Sequence, residues 1–257
     1  MPKRVRVTVL LAILVVAALT QWRAAVRVTD WEEPLWVVVH PIDGDGRAAT
    51  RRHLHGLDDG VFEGVEAFLA REAARYGVRL ETPVDVTLGP ALEPPPPARP
   101  PGAGPLRSIW WSLRVRYWAY RTDPFEGVSP DVRIYVIYYD PAVRERVPHS
   151  SGLRKGLIGI VNAFASRAAA GSNNVVIAHE LMHTLGASDK YDPATGRPRH
   201  PEGFAAPRRR PLYPQSRAEI MGGRIPLSPA RAVIPRSLAS SVVGPVTARE
   251  INWTDEP

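Results

Sequence analysis

His179-Glu180-Leu181-Met182-His183-Thr184-Leu185-Gly186-Ala187-Ser188-Asp189 carries two histidines four residues apart, with a glutamate directly after the first. On an α-helix such positions lie nearly one above the other, so both imidazoles can grip one metal ion. Glu180 stands beside that face. From there its carboxylate can reach a water at the metal's open position, as general base and then proton carrier. Val175, Ile177, Ala178, Leu181, Met182 and Leu185 fall at helical spacing, and Ser172 or Asn173 is placed to cap the start. Gly186 follows the last turn, where a left-handed residue ends a helix without strain. The reversal it permits brings Asp189 back as a third ligand, although Asp192 and His200 are near enough downstream to compete. Two neutral imidazoles and a carboxylate leave a fourth position for water, which is the pattern of a catalytic zinc site. The competing reading is a solvated helix with two chance histidines. A bare pair with this glutamate arises in on the order of 1% of chains this long, and the added Gly and Asp lower that about a hundredfold.

Outward from this helix the pattern alternates. Residues 35–40 are β-rich, and 61–76 carry Val61, Phe62, Val65, Phe68 and Leu69 at helical spacing before Gly77. Val84, Val86 and Leu88 alternate as a second strand. Residues 90–105 hold eight prolines in sixteen positions, which no helix or central strand survives, so a stiff surface loop is predicted there. Leu106, Ile109, Trp110, Leu113 and Tyr117 fit a helix whose apolar side Trp111 and Trp118 widen, and that side is expected to face the core. Residues 132–139 suit a central strand, and 157–164 another just before the motif helix. The order predicts a single α/β domain over 26–257, with a twisted mixed sheet, the motif helix beneath it and a small irregular C-terminal lobe. His53 and His55 read as a surface pair rather than a metal site.

The stretch His179-Glu180-x-x-His183-x-x-Gly186-x-x-Asp189 resembles the metzincin metallopeptidases, in the snapalysin-type variant with aspartate as third ligand. Glu219-Ile220-Met221-Gly222-Gly223 is similar to the methionine turn of that clan. The resemblance implies a metzincin-like fold, one catalytic Zn²⁺ held by His179, His183 and Asp189, and Met221 as the floor of the site. It also implies that the strand immediately before the zinc helix is the antiparallel edge of the sheet and binds extended peptide through its main chain. On that reading Gly159, Ile160 and Val161 are substrate-binding residues. The tyrosine that often follows the methionine turn is missing, and Tyr191, Tyr213 and Arg224 are all candidates to support an oxyanion.

At 257 residues and 44% hydrophobic, the chain can bury one substantial core, and with no cysteine it has neither disulfides nor a lipid-bearing cysteine. Lys3, Arg4 and Arg6 frame an apolar run over 7–19, so residues 1–25 read as a signal peptide or an uncleaved signal anchor. Export follows, with the catalytic part outside the cytoplasm and the membrane a partner through this segment. The 33 Lys and Arg against 26 Asp and Glu give +7 and an isoelectric point near 10. They are dispersed and read chiefly as solvated surface; anionic membrane or envelope polymers suit them better than nucleic acid, for which no role is expected. The expected activity is zinc-dependent endopeptidase, with a peptide or protein substrate and Glu180 as general base. A membrane-anchored, non-catalytic zinc-stabilised assembly factor and a zinc hydrolase of non-peptide amides are the alternatives.

Overall fold

The computed structural model describes residues 27–255 except 101, 103, 126, 127 and 155, together with 2, 5–8, 11, 12 and 15. The N-terminal segment expected at 1–25 therefore falls largely outside the described residues. Among those described, no helix is long and apolar enough to cross a membrane.

In chain order the main elements are β1 (Leu35–Asp43), α1 (Ala48–His55), α2 (Glu63–Arg75), β2 (Val84–Leu88), α3 (Pro105–Thr122), β3 (Val132–Tyr139), β4 (Ser151–Leu153), β5 (Ile158–Phe164), α4 (Ala170–Leu185) and α5 (Pro245–Glu250). The five strands form one sheet in the order β2-β1-β3-β5-β4. β2, β1, β3 and β5 run parallel, and β4 lies antiparallel along β5. The protein is thus α/β with a mostly parallel sheet.

Strand periodicity divides the core in two. Ile134, Val136 and Tyr138 of β3 point into one apolar cluster with α2 and α4, while Tyr135, Ile137 and Tyr139 point into the other with α3. A sheet covered on both faces needs apolar residues at successive positions, which is why β3 is β-branched or aromatic at every position from Ile134 to Tyr139. The C-terminal residues do not stand apart. Ile220, Met221, Leu238, Val243, Ala248, Ile251 and Trp253 join the first cluster, and Trp31 donates its indole N–H to the Ile251 carbonyl at 2.7 Å.

Three expectations are corrected. The strand before α4 is not the edge: β5 is bracketed by β3 and β4, so Gly159 pairs with Ile134 on one side and Gly152 on the other. An antiparallel edge does exist, but it is β4, whose three residues are too few to show a period in sequence. α3 keeps only part of its expected core side, that of Trp111 and Trp118. Trp111, Val115, Trp118 and Ala119 are buried against the sheet, while Leu106, Ile109, Trp110, Leu113 and Tyr117 are exposed. Both faces of this helix are apolar, so periodicity alone cannot choose between them. Finally, α4 starts at Ala170 without a side-chain cap. Asn173, instead of capping, pins the end of β5: its amide accepts from Phe164 N and donates to Phe164 O.

The proline segment lies on α3. Its Pro97 and Pro94 carbonyls accept the indole N–H groups of Trp111 and Trp118, and Pro90 O meets His40 Nδ1 at 3.0 Å. Joining β2 to α3 within one sheet system, it is a cover over the second core and not a boundary between domains.

Candidate metal centre

α4 is buried along most of its length, with Val175, Ile177, Ala178, Leu181, Met182 and Leu185 all in the first core cluster. That packing fixes the helix's rotation and aims His179, Glu180 and His183 at the gap beneath β4. Gly186 ends the helix at φ +117, donating its N–H to the Met182 and His183 carbonyls, and Ala187 N also returns to Met182 O. The chain reverses there and delivers Asp189.

The result is a convergence of three donor atoms. Asp189 Oδ1 lies 3.3 Å from His179 Nε2 and 3.1 Å from His183 Nε2, and one atom from each residue falls within 4.8 Å of the others. Among the described residues no other three or more His, Cys, Asp or Glu converge in this way. Each histidine uses its far nitrogen on a main-chain carbonyl: His179 Nδ1 on Ile220 O at 2.9 Å, His183 Nδ1 on Ala187 O at 2.8 Å. A carbonyl only accepts, so both Nδ1 atoms carry hydrogen and both Nε2 atoms face the cluster. With Nε2 deprotonated, this is the tautomer a metal ligand requires. The donor set fits a divalent cation of zinc's preference, two imidazoles and one carboxylate oxygen.

The competing third ligands are elsewhere. Asp192 is a turn former whose carboxylate accepts from Ala194 N, and His200 is occupied with Pro207 O and the Phe204 ring.

Glu180 is buried, and its Oε2 has no hydrogen-bond partner. Burial raises its pKa; the neighbouring His179 and His183 and the Gly152 main-chain N–H act in the opposite direction. His179 moves the other way from an ordinary buried imidazole. Burial lowers its affinity for a proton, but the Asp189 hydrogen bond, the Glu180 charge and the Ile220 carbonyl outweigh that and raise its pKa to about 9. Asp189, desolvated in part yet held by both imidazoles, is driven well below the usual carboxylate range. These opposed shifts are two sides of one contact, an ion pair standing where a cation would bind.

The surroundings brace this arrangement. The turn Ile220–Gly222 is capped by Glu219, whose carboxylate accepts from Gly222 N, Gly244 N and Thr247 Oγ1. That turn places the Ile220 carbonyl under His179 and keeps Met221 wholly buried. The loop carrying Asp189 is clamped on both sides. Ser188 N and Oγ donate to the Glu250 carboxylate, Lys190 Nζ reaches the same carboxylate at 2.7 Å, and Lys190 N donates to Met221 O.

Two neighbours escaped the sequence reading or were left open by it. Gly152 of β4 crosses α4 so closely that a Cβ there would meet His183 Cβ at 2.4 Å and Glu180 O at 2.8 Å. A glycine within a strand signals close backbone approach, but β4 is too short to be recognised as a strand. Of the oxyanion candidates Tyr191 is the one in contact with the cluster: its ring lies 6.2 Å from that of His179, its hydroxyl interacts with Asp189, and the Arg224 charge acts on that hydroxyl from nearby. Burial, then the Asp189 charge and hydrogen bond, push that hydroxyl up to about 12, so it stays a donor. Tyr213 packs on Phe204 instead, and Arg224 lies against Gly196.

The chain matches no protein-family model and no curated protein.

Proposed function

We propose that this chain is a zinc-dependent endopeptidase of metzincin type. The observation that carries the reading is the meeting of His179 Nε2, His183 Nε2 and Asp189 Oδ1, beside a buried Glu180 carboxylate oxygen with no partner. The Gly186 reversal, the buried Met221 turn and an antiparallel edge strand over the site support the metzincin character.

What zinc supplies there when bound is Lewis acidity, toward a carbonyl oxygen and toward water. The chain's residues do the rest. Glu180, buried and with its basicity raised by that burial, accepts the proton of the attacking water and delivers it to the leaving amine. Tyr191, a protonated donor next to the ligands, supports the developing oxyanion. The Nδ1 hydrogen bonds of both histidines keep the imidazole planes fixed through the cycle. β4 has one flank paired to β5 and is the terminal strand of the sheet, so an extended peptide adds along its outer flank and passes over Glu180. This moves the main-chain recognition expected of Gly159, Ile160 and Val161 to Ser151–Leu153. The basic and apolar N-terminal segment supports export, with the site outside the cytoplasm.

A metal used only to stabilise the fold leaves the partnerless Glu180 Oε2 without a purpose, because burying such an atom costs about 1–3 kcal/mol. The test is the full chain, zinc-loaded, acting on an unfolded protein, with new N-termini identified by mass spectrometry. Cleavage is expected, lost on chelation and restored by zinc. Glu180→Gln should keep its zinc and lose on the order of 10²–10⁴-fold in rate. A Glu180→Gln variant as active as the parent rules the reading out, and turnover of small amides with no peptide cleaved assigns a different substrate.

A further inference from the structure

α3 buries one side and leaves an equally apolar side uncovered. Leu106, Ile109, Trp110, Leu113, Tyr117 and Tyr120 are all exposed, from 49% at Leu113 to 82% at Leu106. Their spacing places them in a single stripe roughly 100° wide along the helix, opposite the Trp111, Val115, Trp118 and Ala119 face that packs on the sheet. Isolated exposed apolar residues need no explanation, but a continuous stripe of six does. It borders an open groove of about 1080 Å³, between α3 and the proline segment, to which Pro94, Pro97 and Arg121 also contribute.

Charge runs beside the stripe with one sign only. Arg107, Arg114 and Arg121 repeat every seven residues, close to two helical turns, and so form a ladder on one flank. All three are exposed and make no ion pair with any described residue. The helix contains no Asp or Glu. Two copies pairing through this face would set arginine ladders together with no carboxylate between them, which disfavours self-association. Tryptophan and tyrosine among aliphatic residues, flanked by arginines, is the composition of a helix that lies in a membrane interface.

The position in the fold agrees. Arg27, the first residue of the continuous described chain, contacts Asp131 just before β3. Asp123, directly after α3, pairs with Arg133 of the same strand. The chain therefore leaves toward its apolar N-terminal run from the end of the molecule where α3 finishes. Seven residues separate Leu19, the end of that run, from Arg27, a reach of at most about 25 Å. Val7, Leu11 and Val15 of that run are themselves exposed.

We infer that the outer face of α3 docks on an anionic lipid bilayer, with Trp110, Tyr117 and Tyr120 at headgroup depth and Arg107, Arg114 and Arg121 on the lipid phosphates. The inference is independent of the metal and of any catalysis.

The chain lacks cysteine, so one introduced thiol reports one place. Ile109→Cys in the full chain, labelled with a polarity-sensitive fluorophore, is mixed with phosphatidylcholine vesicles with or without phosphatidylglycerol, both doped with a lipid-borne quencher. Ala230→Cys, on an exposed turn of the C-terminal region, is the control. On anionic vesicles the probe at 109 should shift to the blue and be quenched, and the probe at 230 should not. Combining Arg107→Glu, Arg114→Glu and Arg121→Glu should abolish the shift, since about 1 kcal/mol for each arginine amounts to a face affinity weakened on the order of a hundredfold. A probe at 109 that stays in water while the chain sediments with anionic vesicles overturns the inference, because the N-terminal segment then binds alone. Equal quenching on neutral vesicles overturns it, since the arginines then contribute nothing. So does a lipid-free blue shift: one that grows with protein concentration identifies a second copy as occupant, and one independent of concentration identifies residues 1–25.

Discussion

His179 and His183 are oriented by carbonyls that belong to different parts of the chain, Ile220 in the turn before β-paired residues and Ala187 just past α4. This fixes the Nε2 atoms inward before any ion arrives, and it makes proton and metal compete for the same nitrogen. The sign follows from His179. Its pKa in the metal-free protein is raised to about 9, so at pH 7.5 the imidazole is charged and a metal must displace its proton. Zinc added to metal-free protein in weak buffer at that pH should release about one proton per ion from this residue. The release should fade and apparent affinity should level off as the pH passes about 9. Calorimetry in buffers of different ionisation enthalpy reads this directly, and metal uptake with no proton release below pH 8 contradicts the site.

Gly152 shows how an element of three residues controls the chemistry. β4 can lie on α4 only because nothing projects from its centre, and Gly152→Ala forces its Cβ into His183 and the Glu180 carbonyl. The expected consequence is a fall of about 10²-fold in kcat/KM, the cost of misplacing a catalytic group by about 1 Å; an unchanged rate would show that β4 does not set the position of Glu180. Elements whose pattern allows one burial were readable from sequence: 134–139 is apolar at every position and is buried on both faces, and the α4 run repeats at helical spacing. β4 was not, having no room for a period. α1 was missed because of its residues only Thr50 is buried, so packing leaves no stripe. α3 was located with its core side only half right, since its sequence carries two apolar stripes and the core takes Trp111 and Trp118 but leaves the other residues exposed. The convergence of His179, His183 and Asp189 was legible because metal chemistry ties residue types to spacing; Tyr191 was not separable from Tyr213 until the chain reversal after Gly186 brought it beside Asp189.

The whole chain converges on the site through its last helix. Lys190, 2% exposed, is neutralised by Glu250 at the end of α5, and that pair ties the C-terminal residues to the loop carrying Asp189. Glu250→Ala leaves a buried charge without its partner and is expected to cost about 3 kcal/mol of stability, seen as a lower denaturant midpoint at unchanged slope. It should also weaken zinc retention, because the Ser188 bonds go with the carboxylate. Restoring the interaction with Glu250→Gln should recover only part of both. Everything proposed for catalysis depends on which atoms hold the ion, and X-ray absorption at the zinc edge of the full chain reads that shell. Two imidazole nitrogens at about 2.0–2.1 Å with carboxylate oxygen completing the shell is the expected spectrum, with an imidazole lost in His183→Ala. A zinc shell without imidazole, or one that His183→Ala leaves unchanged, contradicts the metal centre and the peptidase reading with it.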